Sequence, residues 1–92
     1  MAIGFYFHPT GFTTEKYDTV IRQLEAAGAG NPKGRTHHSA FGPADSLMVY
    51  DVWNSQEEFE AFGETLIPIM KEQGVDVGQP DVMPIHNIVQ PS

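Results

Sequence analysis

Hydrophobic residues recur along this chain at the strand period of two and the helix period of about 3.6, in a fixed succession. Ile3, Phe5 and Phe7 alternate with Gly4, Tyr6 and His8, which predicts an aromatic-rich strand broken by Pro9-Thr10-Gly11. Behind Thr13 or Thr14 as N-cap, Tyr17, Val20, Ile21 and Leu24 fall at i, i+3, i+4 and i+7, and Gly28 stops that helix. The glycines from Gly28 to Gly34 leave a helix C-terminus instead of entering an N-terminus, so they read as a connection and not as a phosphate cradle. Thr36 to Phe41 predicts a second strand, and Gly42-Pro-Ala-Asp45 is turn chemistry that folds it into an antiparallel hairpin with the next.

That next stretch, Ser46 to Trp53, puts Leu47, Val49, Asp51 and Trp53 on one face and Met48, Tyr50 and Val52 on the other. Both faces are mostly apolar, as in a central strand covered on both sides. Ser55 with Glu58 then forms a capping box, Glu57 and Glu58 suit the positive end of a helix, and Phe59, Phe62, Leu66, Ile69 and Met70 trace its apolar face. Pro68 predicts a kink, Gly74 the end, and Val82 to Val89 a last strand with Pro84 marking an edge or bulge.

The succession β-α-β-β-α-β is the ferredoxin-like, split βαβ arrangement of the α+β class. Right-handed crossovers place both helices on one face of a four-stranded antiparallel sheet. The opposite face would then leave a large apolar patch in water, so a homodimer formed sheet to sheet is expected.

Length and charge narrow the partners. The 92 residues make one domain over 1–92, and 12 acids against 5 bases give a net charge of -7. A phosphate backbone or an anionic membrane surface is therefore a poor partner, and neither nucleic acid nor membrane binding is expected. There is no cysteine for disulfide or thiolate chemistry. The stretch from Met1 to His8 lacks the basic start and apolar run of a signal peptide, and no apolar run approaches the ~20 residues of a membrane helix. A cytoplasmic location is the default expectation.

The stretch Val49-Tyr-Asp-Val-Trp-Asn-Ser-Gln-Glu-Glu-Phe-Glu-Ala-Phe62, a strand ending in Trp that enters a Phe-rich helix, resembles the dimeric α+β-barrel superfamily. That superfamily includes the antibiotic-biosynthesis monooxygenases, and the short stand-alone members are nearest in character. Gly34-Arg-Thr-His-His-Ser-Ala-Phe41 and Pro84-Ile-His-Asn-Ile88 add to the likeness, which spans nearly the whole chain. It implies the sheet-to-sheet dimer and a range of activities: cofactor-free oxygenation of polyketide-like aromatics, small cyclisations and isomerisations, haem degradation, or none. The haem-degrading branch uses an Asn on its first strand, a Trp, and a His on its second helix. Trp53 matches, but Ile3 to His8 holds no Asn and Ser55 to Gln73 holds no His, so haem is not expected. No nucleotide fingerprint is present either, and no cofactor is expected.

Four histidines carry the candidate chemistry: His8, His37, His38 and His86. Neighbours on a strand face opposite ways, so only one of His37 and His38 enters a given cavity. The Gly34-Arg-x-x-His38 pattern, similar to that of the short members, favours His38; facing inward, it would share its side with Thr36 and Ala40. His38 or His86 is a candidate base and Tyr50 a candidate oxyanion donor. Trp53, Tyr6, Phe41, Phe62 and Leu66 are candidate lining for an apolar pocket, with Trp53 stacking on the ligand. Each has a plain structural alternative: a hydrogen-bonded strand histidine, a core tyrosine, a packed helix stripe. Asp51, a carboxylate in a central strand, needs a partner, and Arg35 or a histidine can supply it.

The resulting expectation is a protein that binds a small apolar or aromatic, polyketide-like molecule and acts by cofactor-free oxygenation or His-based proton transfer. The alternatives are a non-catalytic ligand-binding or accessory dimer, and a metal site built from His38, His86 and Asp51. No metal is expected, because nothing in the spacing brings those three together.

Overall fold

The ring of Phe5 stacks on that of Phe59 with 4.1 Å between centroids, and this contact joins the first strand to the second helix. The computed structural model describes residues 2–90; Met1, Pro91 and Ser92 of the expected 1–92 domain lie outside the described residues. Its elements are β1 (Ile3–Phe7), α1 (Thr14–Ala26), β2 (Arg35–Phe41), β3 (Met48–Trp53), α2 (Gln56–Glu72) and β4 (Asp81–Pro84). They form a four-stranded sheet in the order β2-β3-β1-β4. Every neighbouring pair is antiparallel. This is the ferredoxin-like topology that the sequence pattern predicts.

Local chemistry sets the helix ends. Thr13 caps α1, its hydroxyl accepting from the Lys16 N–H at 3.2 Å, and Gly28 follows the C-cap at φ 77°. Ser55 caps α2 by accepting from the Glu58 N–H at 3.2 Å and donates its own hydroxyl to the Glu58 carboxylate at 2.9 Å. The helix runs through Pro68 to Glu72, and the proline is exposed, so its missing N–H falls on the solvent side. The β2–β3 turn is tied to the start of α1 by two backbone bonds, Thr14 N–H to the Ala44 carbonyl and Leu47 N–H to the Phe12 carbonyl, both 2.8 Å.

The core lies between helices and sheet. Phe5, Phe7, Val49 and Trp53 from the strands meet Val20, Leu24, Phe62 and Met70 from the helices, and Trp53 is fully buried. On the other face, Tyr6 stacks on Phe41 with 6.2 Å between centroids and donates its hydroxyl to the Met48 sulfur at 3.1 Å. Phe41 and Met83 are 43% and 59% exposed, an apolar surface that a single chain does not cover.

Two local expectations need correction. The last strand starts at Asp81 and ends at Pro84, well short of Val89. Pro84 has no N–H to extend a ladder, and after it, among the described residues, only Ile85 bonds back, its N–H reaching the Ala2 carbonyl at 2.9 Å. The second strand starts a residue early, at Arg35, and carries an irregularity between Arg35 and His37. Arg35 pairs with Trp53 and His37 with Val52, so one extra residue, Thr36, is accommodated as a bulge. Because of it Arg35, not Thr36, shares the inward face with His38.

Candidate functional site

Asp51 is the one buried charged residue among those described, 4% exposed in the middle of β3. A carboxylate in that position requires donors, and the register supplies them. His38 is its cross-strand partner on β2, and Nδ1 of the imidazole lies 2.6 Å from Oδ1. Two residues along β3, the Trp53 indole N–H donates to Oδ2 at 3.3 Å. Both carboxylate oxygens therefore accept, and His38 must carry its proton on Nδ1 to bond with Asp51.

The second ring nitrogen of His38 faces α1. Its Nε2 lies 2.7 Å from the Tyr17 hydroxyl, and the two rings run nearly parallel, 5° apart. With Nδ1 protonated, Nε2 of the neutral ring accepts from the Tyr17 O–H. Burial pushes the Tyr17 phenol above its ordinary range; the nearby Arg35 cation pulls the other way, while Asp51 and Asp18 add to the rise. Tyr17 is thus held as a neutral hydroxyl, and the connected order is Trp53, Asp51, His38, Tyr17.

This relay opens onto a cavity between helices and sheet. Its walls are apolar, with Phe7, Phe12, Val20, Phe62, Leu66 and Met70 among them, and its polar groups are Tyr17, Arg35, His38 and Asp51. The cavity measures ≈ 50 Å³, room for a few waters and well below the ~300–1,000 Å³ of sites for drug-sized ligands. A single ring enters only as side chains around it turn aside, a common adjustment on binding.

Of the residues singled out from the sequence, His38, Phe62 and Leu66 border this cavity. Trp53 does not reach it; its ring is packed between Phe59 and Phe62 behind Asp51. Tyr50, His86, Tyr6 and Phe41 lie across the sheet and share no cavity with His38. Tyr50 and Tyr6 are register partners on the outer face, where with His86 they border a shallow groove beside β4. Phe41 lies exposed beside Tyr6. The physical reason is the strand period: with Asp51 pointing to the helices, Tyr50 points away. His38 and His86 thus lie on opposite sides of the sheet, and no group of three or more potential ligands gathers at metal-holding distances among the described residues. His37 also faces outward, bonded to the Ser39 hydroxyl at 3.1 Å.

Tyr17 is the site residue that the residue pattern does not reveal, while Arg35, a candidate partner for Asp51 by sequence, borders the cavity and leaves that pairing to His38. Tyr17 stood in the apolar stripe of α1, where an aromatic reads as core. Its hydroxyl was the only available signal. The bulge that turns Arg35 inward leaves no mark in the residue pattern.

The chain matches no family model, and no curated protein matches it in sequence. Solved structures do resemble it. A candidate antibiotic biosynthesis monooxygenase from Chloroflexus aurantiacus J-10-fl superposes with a TM-score of 0.67, at 14% identity over 98% of both chains. SnoaB, a cofactor-independent oxygenase from Streptomyces nogalater, gives 0.62 at 12% identity, over 98% of this chain and 96% of that one. Rv0793 from Mycobacterium tuberculosis gives 0.54 at 8% identity, over 99% of this chain and 97% of that one. Identities so low speak to architecture alone: the chain has the ferredoxin-like α+β fold of antibiotic-biosynthesis-monooxygenase-like structures.

Proposed function

We propose that this protein binds a small, enolisable or phenolic molecule in the cavity beside His38 and moves a proton from it. The observation that carries the reading is the engagement of both His38 ring nitrogens, Nδ1 by Asp51 and Nε2 by Tyr17, at the edge of an apolar cavity. In the proposed step the ligand's acidic proton passes to the Tyr17 oxygen while the Tyr17 proton passes to His38 Nε2. The products are a ligand anion and an imidazolium whose charge is balanced by Asp51. The raised Tyr17 phenol suits this role, because it passes a proton in concert without lingering as a phenolate.

The small cavity favours a small ligand. At ≈ 50 Å³ it admits even a single ring only after side chains turn aside, so a single ring or a short dicarbonyl, which needs the least rearrangement, is the class proposed. Cofactor-free oxygenation would begin with the same deprotonation; SnoaB, similar in fold, is described as a cofactor-independent oxygenase. A second copy of the chain covering the outer sheet face is part of this reading. The exposed rings and thioethers of Phe41, Met83 and their neighbours support it.

Titration with 1-phenylbutane-1,3-dione, an enolisable single-ring diketone, tests the site when the histidine ring resonances are followed. The His38 signals should shift and those of His8 and His86 should stay. Movement of His86 alone would transfer the site to the outer groove and overturn the assignment.

A further inference from the structure

Arg35 is the only Lys or Arg side chain bordering the cavity, and its cation has no carboxylate within ion-pair reach among the described residues. Asp51, the nearest acid on the cavity wall, has both oxygens taken by His38 and Trp53. The guanidinium instead lies over the Phe62 ring, Cζ 5.5 Å from its centroid, and makes one long hydrogen bond to the Gly30 carbonyl at 3.5 Å. A guanidinium offers five N–H donors in a planar fork, so most of its capacity remains unused. A planar cation braced on an aromatic face at the edge of an apolar cavity is an arrangement suited to a planar anion.

Extending the proton-transfer reading above, on which it rests, we infer that Arg35 is an anion-binding residue and that the ligand class is the small planar carboxylic acids. The carboxylate sits on the Arg35 fork. The ionisable hydroxyl or enol of the same molecule faces Tyr17 and His38. The bulge at Thr36 sets the spacing: Arg35 and His38 oppose Trp53 and Asp51, which are two residues apart on β3. Between backbone positions that separation is roughly 7 Å along a strand. One aromatic ring with its acid and hydroxyl at opposite ends spans such a gap.

The test compares 4-hydroxybenzoate with 4-hydroxybenzamide, a matched pair differing in charge, by calorimetric titration and by the His38 ring signals. The wild-type protein should bind the acid at least about tenfold more tightly than the amide, as a charge-assisted pair at a half-buried site provides. Arg35→Gln should bring the two affinities together by weakening the acid and leaving the amide within about twofold. Arg35→Lys should retain part of the preference, since it keeps the charge and loses the fork. The wild-type comparison depends on no variant and stands if Arg35→Gln folds poorly. Equal affinities for acid and amide, with His38 signals shifting for both, would overturn the role of Arg35 and leave the proton-transfer site standing. A preference for the acid that survives in Arg35→Gln would overturn it too. If neither probe perturbs His38 or gives heat at millimolar concentration, the carboxylic-acid class is overturned, and the diketone titration decides the proton-transfer site separately.

Discussion

His38 and Asp51 face each other across the β2–β3 pair, with the imidazole Nδ1 2.6 Å from the carboxylate. The pairing accounts for a charge in the middle of an apolar strand and fixes which His38 nitrogen is left for chemistry. Asp51 also accepts from Trp53, so it positions the base while lying behind it.

Removing the carboxylate therefore leaves two donors short of a partner. Asp51→Ala should lower unfolding stability by about 1.5–3 kcal/mol, the range for hydrogen bonds to a charged group. Asp51→Asn, which keeps volume and one acceptor, should cost less. Urea denaturation of the three proteins checks the order. In proton spectra, a strongly deshielded His38 Nδ1–H signal should be present in the wild type and absent in Asp51→Ala. A loss below about 0.5 kcal/mol for Asp51→Ala would mean that the contact is incidental.

Tyr17 gives a pH signature. Its phenol is raised above the ordinary value of 10.0 because burial disfavours the phenolate. The folded state thus binds the proton more tightly than the unfolded chain. The stabilisation is complete below the unfolded value and is lost as pH rises through the raised folded value. Ultraviolet titration should show a tyrosine component ionising beyond the ordinary range, and Tyr17→Phe should delete it. The same variant should cost about 1 kcal/mol of stability, as for one hydrogen bond. If that late component survives in Tyr17→Phe, the hydroxyl is not where the relay requires it.

The outer face makes a separate prediction about assembly. Phe41→Glu places a charge where Phe41 stacks on Tyr6, and by the homodimer reading it should shift the protein from dimer towards monomer. Light scattering at micromolar concentration measures this. A wild-type mass near the 10.2 kDa of a single chain would refute the homodimer.

Much of this architecture is legible in the residues. Alternation around Tyr6, helical spacing from Tyr17 to Leu24, and the Ser55–Glu58 cap specify β1, α1 and α2 with little help from long-range contacts. Asp51 is legible as a carboxylate that needs a partner, with Arg35 or a histidine able to supply it, and the fold gives that role to His38. What alternation could not decide was which face of each strand the helices cover. Leu47, Val49 and Trp53 balance Met48, Tyr50 and Val52 in apolar character, so Tyr50 and Asp51 are equally good readings of the inside until the tertiary fold exists. Thr36 shows the other limit. A bulge is set by cross-strand pairing, and no periodicity within β2 predicts that Arg35 and His38, three residues apart, will share a face. The pattern from Val82 to Val89 puts His86 on the last strand, but that strand ends two residues earlier, at Pro84.

The most direct measurement is solvent-deuterium exchange into the acidic carbon of 1-phenylbutane-1,3-dione, comparing wild type with His38→Gln and His86→Gln. General-base catalysis at a positioned histidine predicts acceleration of about 10²-fold or more over buffer for the wild type. His86→Gln should match it, and His38→Gln should fall to the buffer rate. Exchange at the buffer rate with all three proteins, or exchange unchanged in His38→Gln, would contradict His38 as the proton acceptor.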